Sequence, residues 1–137
     1  MGTRREAREC ALQMLYEIEM AQAPLEQVIA GYWARHPDHD AQTREFSDRL
    51  VNGVFTQKEM IDELIVKYSA HWRLSRMAAV DKNILRLAVF ELKDCEDIPL
   101  KVSLNEAIEI AKKFGSEESG SFINGVLDKI GKELKKG

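Results

Sequence analysis

A chain of 137 residues, 45% hydrophobic and 31% charged with three prolines, is long enough to bury a core without disulfides or a structural metal, so one domain over residues 1–137 is expected. No run approaches the ~18 consecutive apolar residues of a membrane span, and the start, MGTRREAREC, has neither the apolar core of a secretory signal nor the acid-free composition of a transit peptide, which predicts a cytoplasmic protein. A net charge of −3 excludes a protein that coats nucleic acid through a broad positive field, so any nucleic-acid site must be local.

Apolar residues recur at three- and four-residue intervals throughout, and no strand alternation persists, which predicts an all-α fold. Thr3 and Glu6 have capping-box spacing and open a first helix with the inward stripe Ala7, Cys10, Ala11, Met14, Leu15 and Ile18, stopped by Pro24. A short second helix carries Leu25, Val28, Ile29, Tyr32 and Trp33 and ends in the loop from His36 to Asp40. From Gln42 to about Ala70 the pattern Phe46, Leu50, Val54, Ile61, Leu64, Ile65, Tyr68 fits one kinked helix or two. Past Trp72 and Leu74, a helix from about Arg76 to Lys93 carries Val80, Ile84, Leu85, Leu87, Ala88 and Leu92, and Pro99 marks the next break. Ser103 and Glu106 have the spacing of a second capping box, for a helix with the stripe Leu104, Ala107, Ile108, Ala111 and Phe114.

The stretch GSEESGS after Phe114 could be a phosphate cradle or a turn. No strand precedes it and it lacks the spacing of a phosphate loop, while Glu117 and Glu118 stand where phosphate would sit. It reads as a turn: Gly115 at a left-handed C′ position, Ser116 or Ser119 capping a last helix, and the two glutamates near its positive end. That helix carries Phe122, Ile123, Val126, Leu127, Ile130 and Leu134. Gly120 and Gly125 within it cost roughly 1 kcal/mol each against alanine, which points to close approach of a neighbouring helix or of a ligand backbone.

Chemistry-bearing residues elsewhere have plain explanations. Cys10 and Cys95 lack CxxC spacing and read as small core or loop residues. His36, Asp38, His39 and Asp40 crowd a proline-containing loop without the paired spacing of a helical metal site. His71 has no evident nucleophile to serve, and the carboxylates Asp94, Glu96 and Asp97 fall in a turn. No catalytic residue, metal or cofactor is implied. With about 100° of rotation per residue, Arg4, Arg8, Arg5 and Tyr16 lie within an arc of roughly 120° on the first helix, with Glu6 and Glu17 pointing elsewhere. Such an arc offers guanidinium groups to phosphates and an aromatic face to a base, as single-stranded nucleic acid requires; an ordinary solvated face is the alternative.

Three segments, RREARECALQMLYE, VDKNILRLAVFEL and IPLKVSLNEAIEIAKKFGSEESGSFINGVLDKI, resemble the NusB family of bacterial transcription antitermination factors from the first helix to Ile130. The resemblance implies an all-helical fold of about seven helices and no enzymatic activity. It implies binding of the single-stranded boxA element of ribosomal RNA operons together with the small-subunit ribosomal protein NusE, within an antitermination complex on RNA polymerase. It assigns RNA contacts to Arg4, Arg5, Arg8 and Tyr16, a stacking role to Phe122 beside Glu118, and a partner-facing role to Asp81. Relatives include both monomers and homodimers, and the chain fits either. A closely similar helical domain also begins some RNA cytosine methyltransferases, a reading that requires a catalytic subunit in addition to this chain.

Overall fold

The computed structural model of the chain describes residues 3–69 and 73–134. Its elements in order are α1 (Thr3–Ala21), α2 (Leu25–Arg35), α3 (Ala41–Thr56), α4 (Lys58–Tyr68), a 3₁₀ turn at Leu74–Arg76, α5 (Ala79–Asp94), α6 (Leu100–Phe114) and α7 (Ser119–Glu133). Among the described residues there are only helices and their connections, in agreement with the all-α expectation. The Thr3 hydroxyl of the first capping box, His71 and Trp72 lie outside the described residues and side chains.

The packing is organised around α5. Helices α1, α3, α4, α6 and α7 all lie against it, and every residue from Asn83 to Leu92 is buried, which is why this segment is apolar on all sides and not along one stripe. Its few polar members are paired. Arg86 donates to Asp62 of α4 at 2.8 and 3.0 Å and to Glu19 of α1 at 3.2 Å, Asn83 donates to the same Glu19 at 3.2 Å, and Glu91 accepts from Arg8 of α1 at 2.6 Å. Burying a charge is costly unless it is paired, so these contacts fix the rotation of α5 between its neighbours.

Helix α1 buries the expected stripe of Ala7, Cys10, Ala11, Met14 and Leu15, and both cysteines are buried. Burial pushes the Cys10 thiol up from its ordinary pKa. The helix ends at Ala21, before the expected proline stop, because Gln22 takes a left-handed conformation with φ 53°. Pro24 instead stands at the N-cap of α2, which packs on α1 and α3 through hydrogen bonds from Tyr32 to Gln13 at 2.6 Å and from Trp33 to Asp48 at 2.8 Å. The segment after Gln42 is two helices, broken at Gln57, which ends α3 and precedes α4. Gly53 lets α3 cross α5 closely: a Cβ there would fall 2.1 Å from the Phe90 ring. No helix among the described residues is long and apolar enough to cross a membrane.

Helix ends account for most of the departures from expectation. Residues from Leu74 form a short 3₁₀ turn, so α5 starts at Ala79 and not near Arg76. The second capping box does not form: Pro99, with its preset φ, is the N-cap of α6, and this places Ser103 and Glu106 inside the helix. Gly115 is extended, with φ −99° and ψ −168°, and not left-handed. Glycine is needed there for space, since a Cβ would lie 2.6 Å from Ser119 Oγ and 2.9 Å from the Ala111 carbonyl. Ser119 Oγ accepts the Ser116 backbone N–H at 2.9 Å, closing the turn into α7. No neighbouring helix explains the other two glycines: a Cβ at Gly120 would make an ordinary 3.7 Å contact with Ile108, and one at Gly125 would meet nothing within 4 Å.

Candidate functional site

The arginine arc on α1 splits by depth. Arg8 is turned inward, its side chain 5% exposed, and grips Glu91 with Nε and Nη2 at 2.6 and 2.9 Å. The Ser103 hydroxyl adds a third bond to that carboxylate at 3.1 Å. The expected surface of three arginines is therefore two at the surface and one within the packing, because α1 turns its Arg8 side toward α5 and α6.

Arg5, one turn earlier, is half-exposed and forked onto Glu106 of α6 through Nε and Nη2 at 2.8 and 2.7 Å. Glu106 also faces Arg8 Nη1 at 3.6 Å. The hydrogen bonds from Arg5 outweigh partial burial and hold the Glu106 carboxyl below the usual carboxylate range, while the same pairing raises the Arg5 pKa. The Arg4 guanidinium lies 4.6 Å above the Phe46 ring and 3.4 Å from Asp97. Lys113, near the end of α6, reaches Glu9 at 2.9 Å, so the seam between α1 and α6 continues toward the turn into α7. Tyr16 is exposed further along α1, about 16 Å from Arg5 at 1.5 Å of rise per residue.

A second cluster gathers the remaining candidates. An open hollow of about 300 Å³ between the 3₁₀ turn, the start of α5 and the start of α7 is lined by Arg76, Asp81, Glu118 and Phe122, among others. Phe122 is half-buried and packs on the core. Asp81 Oδ1 is buried with no hydrogen-bond partner among the described residues, a costly state for a carboxylate oxygen. The structure thus joins Asp81, Glu118 and Phe122 in one place and pairs Arg5 with Arg8 through Glu106.

Residues of the loop after α2 act in packing. His36 stacks on Tyr32 at 4.3 Å, and His39 Nε2 lies 3.7 Å from Cys10 Sγ. Asp40 caps α3 by accepting the Thr43 N–H at 2.8 Å, a bond that lowers its pKa. Sequence reasoning missed the roles of Glu91 and Glu106. Glu91 had a visible signal: a lone acid inside an apolar helical run is almost never fully buried unless paired. Glu106 had none, since its spacing from Ser103 imitates a cap.

A model of the NusB family matches residues 5–132. The chain belongs to this family. It is 46% identical over 139 residues to the transcription antitermination protein NusB of Myxococcus xanthus, with 99% of each chain covered. The solved structure of T. maritima NusB is 40% identical and agrees with a TM-score of 0.88, covering 95% of this chain and 91% of that one. A chain from the crystal structure of the antitermination factors NusB and NusE in complex with double-stranded RNA is 27% identical, with a TM-score of 0.88 over 97% of this chain and 98% of that one. Agreement over nearly the whole chain takes in α1, α5 and α7, the helices that carry most of the candidate residues.

Proposed function

We propose that the protein is a transcription antitermination factor that binds boxA-type single-stranded RNA with NusE and supports processive transcription of ribosomal RNA operons by RNA polymerase. The observation that carries this reading is its end-to-end agreement with NusB solved beside NusE and RNA. That complex contains double-stranded RNA, so the preference for a single strand rests on this chain's own residues: the exposed Tyr16 and the half-buried Phe122 are suited to stack on unpaired bases. Arg4 and Arg5 contact phosphates, Glu118 repels them beside Phe122, and Arg8 acts from inside by anchoring α1. Asp81 faces the partner from the rim of the hollow beside α7. The protein works by binding and not by catalysis, as one cytoplasmic domain beside the polymerase.

Electrostatics favour a joint RNA surface. Two surface arginines on a chain of net charge −3 give a log–log salt slope of only about −1.4 on a single strand, too little for tight binding at physiological salt. NusE supplies the missing positive surface, and linkage requires RNA to tighten the protein–protein contact by the factor by which NusE tightens RNA binding, a coupling of about 1–3 kcal/mol. Calorimetric titration of boxA RNA with and without saturating NusE tests this, and equal dissociation constants would sink it. Asp81→Lys should weaken NusE binding and leave RNA binding by the protein alone nearly unchanged.

A further inference from the structure

We propose that Glu106 is a built-in competitor for RNA phosphate, occupying Arg5 as a phosphate would and so setting the RNA affinity of the α1 face and its response to salt. This rests on the RNA-binding reading above. A guanidinium fork fits carboxylate and phosphate in the same bidentate way, and the edge of Arg5 that would receive a phosphate is the edge Glu106 holds at 2.8 and 2.7 Å.

Charge along the seam shows why this contact matters. Arg4, Arg5, Arg8 and Lys113 face Asp97, Glu106, Glu91 and Glu9 at 3.4, 2.7, 2.6 and 2.9 Å. These four pairs are neutral as they stand, so a polyanion gains one of their cations only by displacing a carboxylate. Glu91 cannot give up its partner, because both it and Arg8 are buried. The Arg4 pair is one long contact between exposed groups and the Lys113 pair a single bond from an exposed ammonium, so both resist little. Glu106 differs from both in making two short bonds at once, 2.8 and 2.7 Å, to a guanidinium that is 47% exposed. When Arg5 swings out to RNA, Glu106 keeps Arg8 Nη1 at 3.6 Å and is not left as an unpaired buried charge. Arg8 thereby makes the exchange feasible, and Arg5 performs it.

The test is fluorescence anisotropy with a labelled single-stranded boxA-like RNA across a salt series. Glu106→Gln should bind roughly two- to fivefold tighter at low salt, the range of an exposed ion pair, and the gain should shrink as salt screens the competing Arg5–Glu106 pair. Glu106→Asp, which keeps a negative charge in the seam and withdraws the carboxylate from Arg5 by one methylene, should move the same way and guards against a fold effect peculiar to glutamine. In an Arg5→Ala background the gain should vanish. Unchanged or weaker binding by both Glu106 variants, with melting temperature kept, overturns the proposal in favour of a carboxylate that merely holds Arg5 in place. A gain that survives Arg5→Ala overturns it too, since Glu106 would then act as a general negative charge. If the wild-type protein binds no RNA, with or without NusE, the RNA reading itself fails and this inference falls with it; wild-type binding with indifferent Glu106 variants removes the inference alone.

Discussion

Arg8 and Arg5 stand one turn apart on α1, carry the same group and share the carboxylate of Glu106, yet they belong to different regions of the molecule. Around Arg8 the contacts are dry: Glu91, the Ser103 hydroxyl and the walls of α5 and α6. Around Arg5 the same chemistry is open to water on one side. A buried pair that loses one member leaves the other uncompensated, at a cost of about 3–5 kcal/mol, whereas an exposed pair is worth about 0–1 kcal/mol. Depth, more than charge or distance, decides which ion pair is part of the fold and which can be exchanged for a ligand.

The largest effect expected is from Arg8→Ala, which strands the Glu91 charge and should lower unfolding free energy by about 3–5 kcal/mol in urea titrations. A loss below about 1 kcal/mol would place Arg8 with the surface arginines and break the comparison. Replacing the pair together, Arg8→Met with Glu91→Leu, should recover most of that loss. Apolar substitutes of similar volume often match a buried pair, and the remaining deficit of about 1–2 kcal/mol belongs to the Ser103 hydroxyl deprived of its acceptor. A double variant as unstable as Arg8→Ala would mean that α1 has lost more than one ion pair.

At the surface the balance reverses. Arg4→Ala with Arg5→Ala should cost under about 1 kcal/mol of stability and flatten the salt dependence of RNA binding by about 1.4 in log–log slope, two single-strand contacts. Measuring the melting temperature and the salt series on the same sample separates the two regions. If the double variant melts early and keeps its slope, the roles assigned to Arg5 and Arg8 are exchanged.

How much of this was readable from the sequence follows the same division. The stripes of α1 and α7, the run of α5 and the proline breaks report burial at regular spacing, and burial produces the periodicity. The angular position of Arg8 was also readable, but its depth was not, because depth depends on how closely α5 and α6 approach α1, a contact between residues 83 apart in sequence. Ser103 and Glu106 show the complementary failure. Their spacing satisfies a local rule, yet Pro99 had already started the helix, and both side chains went to tertiary partners, Glu91 and Arg5. Gly115 was read for its freedom to adopt left-handed angles when the constraint was space beside Ser119 and Ala111.

The smallest effect expected is the pH dependence of the Arg5–Glu106 pair. Because Arg5 lowers the folded pKa of Glu106 below its unfolded value near 4.5, the contribution to stability is complete above that value and is lost as pH falls through the depressed folded pKa. A protonated glutamate and a glutamine are nearly isosteric and equally uncharged, so wild-type protein and Glu106→Gln should differ at neutral pH and converge in acid. Asp40 and Glu19 also have lowered pKa values, but both proteins contain them, so their titration cancels in the difference. With Arg5 half-exposed, the neutral-pH gap should stay under about 1 kcal/mol. Thermal unfolding of the two proteins in parallel, from neutral pH down to about pH 3.5, follows that gap. A gap that widens toward acid would mean that burial outweighs Arg5 at Glu106, and the exchange of its carboxylate for an RNA phosphate would lose its electrostatic basis.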